Sequence, residues 1–442
     1  MKIPEKPRDP NIIFENAGEK FSGFFLAYSI GDEKSAAIRE YVRKYNELHY
    51  THWDDLKRKK IPYDTELFWL LLKVLRREKL KKIGIGDETF TFVMLEKFQR
   101  KLHQIDKESP APIDALTGEK PSEASKRQYL ANSIMEEAIA SSQLEGAATT
   151  RAIAKKFLRE GKSPRNKSER MILNNYRTIQ KLKEIKDLPL SLQLIIDIHL
   201  EITSGTLESR DDEIFFRKCD DIVVRDKTDY SKIYHQPPDF TTVPAMLDDL
   251  CTFANNDETF IHPILKAIII HFLIGYIHPF NDGNGRTARA LFYWYVLKNG
   301  YDLFEYLSIS RLYVHSPAQY ARAYLYTETD ENDMTYFVEF NLNIISRAMD
   351  ELKTYIEETQ AEQREAISLA GKIPGISFRQ AEILKDFISH PDRSYAISEI
   401  AGKYKVSMPT ARSDLLTLEG LGKLRKIKDG KRWVFLLKDT WA

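Results

Sequence analysis

The stretch ILKAIIIHFLIGYIHPFNDGNGRTAR, Ile264 to Arg289, decides how this chain is read: it runs an apolar helix into a polar, glycine-rich turn and then opens a second helix. Pro279 disfavours helical geometry for the residue before it, so the first helix is expected to stop at His278 and hold that side chain at a rigid corner. Phe280 is a large apolar side chain in an otherwise polar loop, which predicts that it plugs into the core and pins the loop.

Gly283, Asn284 and Gly285 offer backbone N–H groups with little steric cover immediately before the second helix, the arrangement of an anion cradle. Arg286 and Arg289 stand in that helix's first turn, where the dipole prefers negative charge, so they call for a polyanion or a carboxylate. Three apart, they share a helix face and can reach one phosphate chain. Asp282 is the loop's only carboxylate; alone it cannot cage a metal, but it suits Mg2+, which keeps waters and takes further ligands from substrate phosphates. His278 is the only loop group that exchanges a proton near neutral pH, which makes it the candidate base for an attacking hydroxyl. Base, metal ligand, cradle and clamp together suit displacement at phosphorus with an anionic leaving group.

The loop resembles the signature of the Fic family, HxFx(D/E)GNGRxxR, which His278, Phe280, Asp282, Gly283, Asn284, Gly285, Arg286 and Arg289 match without departure. That resemblance implies a protein adenylyltransferase that takes ATP with Mg2+ and moves AMP to a Ser, Thr or Tyr hydroxyl of a target protein or of itself. In that reading His278 deprotonates the hydroxyl, Asp282 holds Mg2+, Gly283 to Gly285 bind phosphate, the arginines grip the β and γ phosphates, and diphosphate leaves. A β-branched stretch, Ile222, Val223 and Val224, is followed by a polar turn and by Pro237 and Pro238, which suggests a hairpin. It resembles the flap that aligns a target segment beside the family's site.

Upstream lies ASSQLEG, Ala140 to Gly146, in which Ser141 and Glu145 are four apart and share a helix face that Gly146 should end. A glutamate at a helix C-terminus opposes the dipole and should have a cationic partner elsewhere. The segment resembles the (S/T)xxxE(G/N) inhibitory motif of class II members, which implies a salt bridge from Glu145 to Arg289 and an autoinhibited resting state.

The rest of the chain reads as mainly α. Apolar residues at three and four spacings predict helices at Tyr63 to Leu75, Phe90 to Ile105, Arg127 to Leu144, Ser168 to Leu182 and Leu192 to Ile202. The expected architecture is a Fic helical bundle with a β-hairpin flap, an N-terminal helical extension and a C-terminal winged helix-turn-helix. The domains would span 1–125, 126–346 (catalytic), 347–375 (a linker helix) and 376–442, with the proline-rich stretch Asp106 to Ser125 and the GKIPG at Gly371 to Gly375 as boundaries. With 442 residues, 43% hydrophobic and 30% charged, the chain has globular composition. The net charge of +1 recommends neither nucleic acid nor an anionic membrane as a partner of the whole molecule. Two cysteines without a pairing pattern, Cys219 and Cys251, argue against disulfides or a zinc site. The charged, proline-rich start and the lack of a spanning apolar run predict a cytoplasmic protein with no membrane partner.

In the C-terminal segment, helices near Phe378 to Ile388, Ser398 to Tyr404 and Ser407 to Leu418 precede strands at Lys423 to Ile427 and Trp433 to Leu437, joined by a turn at Lys428, Asp429 and Gly430. Thirteen basic against eight acidic residues from Ile376 to Ala442 make this module modestly positive. DNA, touched by Arg412, Lys428, Lys431 and Arg432, is a candidate partner, as is a protein contact that would make a homodimer. Rival readings of the whole chain are a DNA-binding regulator with a nucleotide-sensing Fic domain, or a Fic enzyme that transfers another phosphate-containing group or removes AMP. KIGIGDET, Lys82 to Thr89, lacks the third glycine of a dinucleotide fingerprint and reads as a turn; His199, His262 and His271 read as core or surface residues without a role.

Overall fold

The computed structural model describes residues 2–109, 123–207, 215–226, 229–390, 393–429 and 432–438. The chain divides into two compact units, Met1–Leu352 and Lys353–Ala442.

The first unit begins with α1 (Pro10–Ser29), α2 (Glu33–Val42), α3 (Trp53–Leu56) and α4 (Thr65–Arg77), with a π-helical stretch, Arg43–Leu48, after α2. Their own core gathers Ile13, Phe21, Ile38, Tyr45, Leu56, Phe68 and Trp69. The structure then departs from the expected helix over Phe90 to Ile105. Leu80–Ile85 (β1) and Glu88–Val93 (β2) form an antiparallel hairpin with Leu80 opposite Val93 and Ile85 opposite Glu88, and the helix α5 starts only at Glu96 (Glu96–Glu108). The reason is local: ETFTFV alternates, burying Phe90 and Phe92 on one face, a period of two that belongs to a strand. The turn read at KIGIGDET is this hairpin's bend with its flanking strands, tied down by the Gly86 N–H donating to Asp249 Oδ2 at 2.8 Å. Residues 110–122, inside the expected boundary loop, lie outside the described residues.

Next come α6 (Glu123–Leu144), α7 (Arg151–Glu160), α8 (Lys167–Ile185), α9 (Leu192–Thr203), the short hairpin β3 (Val224–Arg225) and β4 (Ile233–His235), α10 (Val243–Asn255), α11 (Pro263–Ile277), α12 (Asn284–Lys298), α13 (Ile309–His315), α14 (Pro317–Thr329) and α15 (Thr335–Lys372), of which residues 335–352 belong to this unit. α11 is buried from Ile264 to Ile274, as a helix that is apolar on every side must be. α12 buries Leu291, Phe292, Trp294 and Val296, so the loop between α11 and α12 hangs from two central helices. The β1–β2 hairpin packs on α11 through Phe90, whose ring meets Phe272 and Tyr276 at 6.0 and 4.9 Å.

In the second unit, α16 (Phe378–Ser389), α17 (Ile397–Lys403) and α18 (Met408–Gly420) accompany a three-stranded antiparallel sheet in the order β5 (Tyr395–Ala396), β7 (Arg432–Leu437), β6 (Leu424–Asp429). Leu384, Phe387, Ile400, Leu415, Leu418 and Phe435 form its core. Two residues long, β5 carries no periodicity to read and was not expected from the sequence. Of the expected turn, Lys428 and Asp429 belong to β6 and Gly430 lies outside the described residues, as does Lys431, an expected DNA contact. Cys219 and Cys251 are free thiols. No helix among the described residues is long and apolar enough to cross a membrane.

Candidate active site

His278 caps the C-terminus of α11 in left-handed geometry, φ 48° and ψ 57°, with its N–H still donating to the Ile274 carbonyl at 3.0 Å. Pro279 denies this residue the right-handed helical basin, and the corner that results is a conformation L-residues adopt at a cost of about 1–3 kcal/mol. The ring's Nδ1 is 3.1 Å from the Gly275 carbonyl. A carbonyl only accepts, so Nδ1 carries the proton and Nε2 keeps its lone pair. Burial, against the opposing pull of the Gly275 carbonyl, holds the imidazole's pKa down to about 4, and the ring is a neutral base at pH 7.

Phe280 is fully buried and stacks face to face on His199, with centroids 3.5 Å apart and planes within 2°. His199, read from the sequence as a core or surface residue without a role, thus forms the loop's seat; its Nδ1 in turn lies 3.2 Å from Thr287 Oγ1. Asn284 staples the loop: its Nδ2 donates to the Phe280 carbonyl at 2.7 Å and its Oδ1 accepts from the Phe280 N–H at 2.9 Å. Its side chain is therefore spent on loop geometry, leaving only its backbone to face a ligand. Gly283 has φ 84°, and a β-carbon there would stand 2.7 Å from Thr203 Cγ2, so no other residue fits this turn.

At the start of α12 no acidic residue of that helix occupies the first turn. Arg286 is fully buried; its Nη1 donates to the Ile202 carbonyl at 3.2 Å and its Nη2 lies 3.8 Å from Asp282 Oδ1. Among the described residues its Nε and Nη2 have no hydrogen-bond partner. Burial lowers the pKa of this guanidinium, with Asp282 opposing. A buried cation with two unmet donors is costly and fits a site that receives an anion.

Arg289 is also buried, but its Nε and Nη2 are engaged. Its Nε donates to Ser141 Oγ at 2.8 Å, and its Nη2 donates to the Ser141 carbonyl and to Glu145 Oε1, both at 2.9 Å. Burial would lower its pKa, and Glu145, Tyr320 and Glu137 together outweigh that and raise it. Glu145 follows the end of α6 at Leu144 and presses its carboxylate against Gly285, in the place an anion at the head of α12 would take. The structure thus brings Ser141, Glu145 and Arg289 together across 144 to 148 positions of sequence.

Asp282 is half-exposed and accepts from the Gly283 N–H at 2.5 Å. Among the described residues no cluster of three or more His, Cys, Asp or Glu forms a metal cage. A half-exposed carboxylate within the loop, with Glu145 already engaged by Arg289, fits Mg2+ carried by a polyphosphate.

The β3–β4 hairpin pairs Val224 with His235 and Arg225 with Ile233 across an irregularity. Of the expected flap residues only Val224 lies in a strand; Ile222 and Val223 precede it. His235 ties β4 to the end of α11, with Nε2 donating to the Tyr276 carbonyl and Nδ1 facing Glu328 Oε2, both at 2.7 Å, and its ring is 6.4 Å from that of His278. Arg217, also unflagged in the sequence, is buried beneath this region and donates from Nε to the His278 carbonyl at 3.0 Å.

Comparison with known proteins gives a family for this segment. The chain is 28% identical to a protein adenylyltransferase Fic of Aedes aegypti over 124 residues, 27% of this chain and 23% of that protein. It is 30% identical to a probable protein adenylyltransferase of Aquifex aeolicus over 125 residues, 28% of this chain and 35% of that protein. The chain thus spans under a quarter of the length of the first relative and about a third of the second. A solved Fic family protein from Desulfovibrio desulfuricans aligns at 17% identity and a TM-score of 0.49, covering 78% of this chain and 96% of that one. Residues 189–296, which carry the glycine loop, all of α11 and most of α12, match the model of the Fic/DOC family.

Proposed function

We propose that this chain is a protein adenylyltransferase, which moves AMP from ATP to a Ser, Thr or Tyr hydroxyl of a protein and rests in an inhibited state. The observation that carries the reading is Arg286: a buried guanidinium with two unmet donors, at the head of a helix and eight residues from a neutral histidine whose Nε2 is unprotonated. The names of the relatives that match this segment support the same chemistry.

In the reaction, His278 Nε2 takes the proton of the attacking hydroxyl as its oxygen forms a bond to the α-phosphorus. The bond from that phosphorus to the bridging oxygen of the β-phosphate breaks, and diphosphate leaves. Backbone N–H groups of Asn284 and Gly285 and the free edge of Arg286 receive the phosphate oxygens, where fixed donors act without reorganisation, while the Gly283 N–H holds the Asp282 carboxylate. Asp282 would hold Mg2+, which neutralises charge on the phosphates. Glu145 restrains this site by engaging Arg289 and by lying against Gly285, so the γ-phosphate and Glu145 compete for one seat.

Incubation with ATP labelled at the α or the γ phosphate tests the reading, with Glu145→Gly alongside the parent chain. Label should enter protein only from the α position and far faster in the variant. Label from neither position would favour a nucleotide sensor, and label from γ a phosphoryl transferase.

We further infer that the second unit is a winged helix, from its order of helix, strand, two helices and a β6–β7 hairpin. Arg412 and Lys428 are exposed, and Lys426 lies over the exposed Trp433 ring at 4.4 Å, which suits a phosphate backbone. Anisotropy of a labelled DNA duplex should rise on titration and fall steeply with salt; no rise would leave protein contact as its use.

A further inference from the structure

We propose that Arg217 is a positioning residue that locks the β3–β4 hairpin to the His278 corner, so that a hydroxyl presented by the hairpin meets the histidine in line. The proposal rests on the adenylyl-transfer reading above.

The side chain of Arg217 is wholly removed from solvent, and each of its nitrogens is used. Nε donates to the His278 carbonyl at 3.0 Å, and the residue's own N–H donates to the Pro279 carbonyl at 2.8 Å, so both peptides of the corner hang on it. Nη1 donates to the Cys219 carbonyl at 3.2 Å and pairs with Asp220 at 2.5 Å, and Nη2 donates to the Pro238 carbonyl. Asp220 Oδ1 also accepts from the Phe240 N–H at 2.8 Å. One guanidinium therefore gathers the chain entering the hairpin, at Cys219 and Asp220, and the chain leaving it, at Pro238 and Phe240, and ties both to the backbone of the base.

This task needs an arginine. Three nitrogens in a rigid plane can serve carbonyls in separate directions at once, whereas a lysine ammonium serves one point. A cation also suits the carbonyls that end α11, where the helix dipole is negative. The kinetic consequence differs for two nucleophiles. A protein hydroxyl aligned by the hairpin depends on the spacing between hairpin and base, where a shift of about 1 Å can cost a factor of about 100. Water reaches the α-phosphorus without the hairpin.

The test is made in the full chain carrying Glu145→Gly, with Arg217→Lys added. Total diphosphate release and AMP bound to protein are measured together, the chain itself serving as acceptor. The ratio of AMP on protein to diphosphate released should fall about tenfold, while the dissociation constant for ATP changes less than twofold. A ratio that stays constant as both rates fall overturns the proposal, because a general loosening of the fold slows both routes alike. A chain with Glu145→Gly alone that releases no diphosphate and takes no label refutes the adenylyl-transfer reading instead. The positioning claim is then decided by nitrogen NMR of the His278 ring: Arg217→Lys should turn a single Nδ1-protonated tautomer into a mixture, and an unchanged spectrum overturns it.

Discussion

Gly285 lies against the Glu145 carboxylate: a β-carbon at Gly285 would stand 3.0 Å from Glu145 Cδ and 3.1 Å from Arg289 Nη1, and would collide with Glu145 Oε1. The residue that would inhibit and the glycine that lines the cradle share one small volume, and this contact separates the effects of substitutions there.

Gly285→Ala should displace Glu145 without opening the site, because the same methyl fills the space a phosphate needs. ATP turnover in this variant should stay at the parent's low level, unlike that of Glu145→Gly, and overpacking should lower stability by about 1–3 kcal/mol in urea titration. Turnover equal to that of Glu145→Gly would show that Gly285 does not border the phosphates.

Ser141→Ala removes the hydroxyl that receives Arg289 Nε but leaves the Ser141 carbonyl and Glu145 in place. The clamp loses one charged hydrogen bond, so the rate of AMP transfer should rise to a level between those of the parent and Glu145→Gly. A rate at or above that of Glu145→Gly would make Ser141, rather than Glu145, the dominant restraint.

His271 is buried, and burial, with Arg289 adding, holds its pKa down to about 3 from the ordinary 6.5; its Nε2 meets Tyr320 Oη at 2.8 Å. The unfolded chain therefore binds this proton first as pH falls. Stability contributed by the neutral ring is complete above pH 6.5 and is lost progressively below it, by about 2 kcal/mol between 6.5 and 5. Urea titrations at pH 7 and 5 should show a smaller loss in His271→Gln than in the parent; equal losses would mean that His271 does not titrate in this window.

Lys73 and Asp330 form a buried pair at 2.8 Å, with Arg76 at 3.7 Å from the same carboxylate. Lys73→Met leaves Asp330 short of a partner, and breaking such a pair costs about 3–5 kcal/mol. The transition in thermal or urea unfolding should shift accordingly. Lys73→Met with Asp330→Asn should recover part of that loss; no recovery would mean that the pair is not coupled.

Where a feature depends on neighbours in sequence, it could be read in advance. The stop at His278, the plugging of Phe280 and the bare turn at Gly283 follow from Pro279, from one apolar residue in a polar loop, and from a backbone that only glycine tolerates. The β1–β2 hairpin is masked in the sequence because Phe90, Met94 and Phe98, four apart, fit helical spacing once the strand and the following helix are scanned as one window; alternation over ETFTFV is the signal available. Arg217 and His199 carried no local signal at all.

The sequence by itself determined the chemistry of the loop, because a proline, an aromatic plug, two glycines and two arginines within twelve residues dictate backbone shape and charge through bonds and short contacts. Only the tertiary structure decided which groups meet that loop. Ser141 and Glu145 reach Arg289, Arg217 reaches the His278 carbonyl, and His199 stacks under Phe280, because α6, α9 and the hairpin segment pack around α11 and α12. Such packing depends on the shape of the whole core, which no short stretch of residues contains.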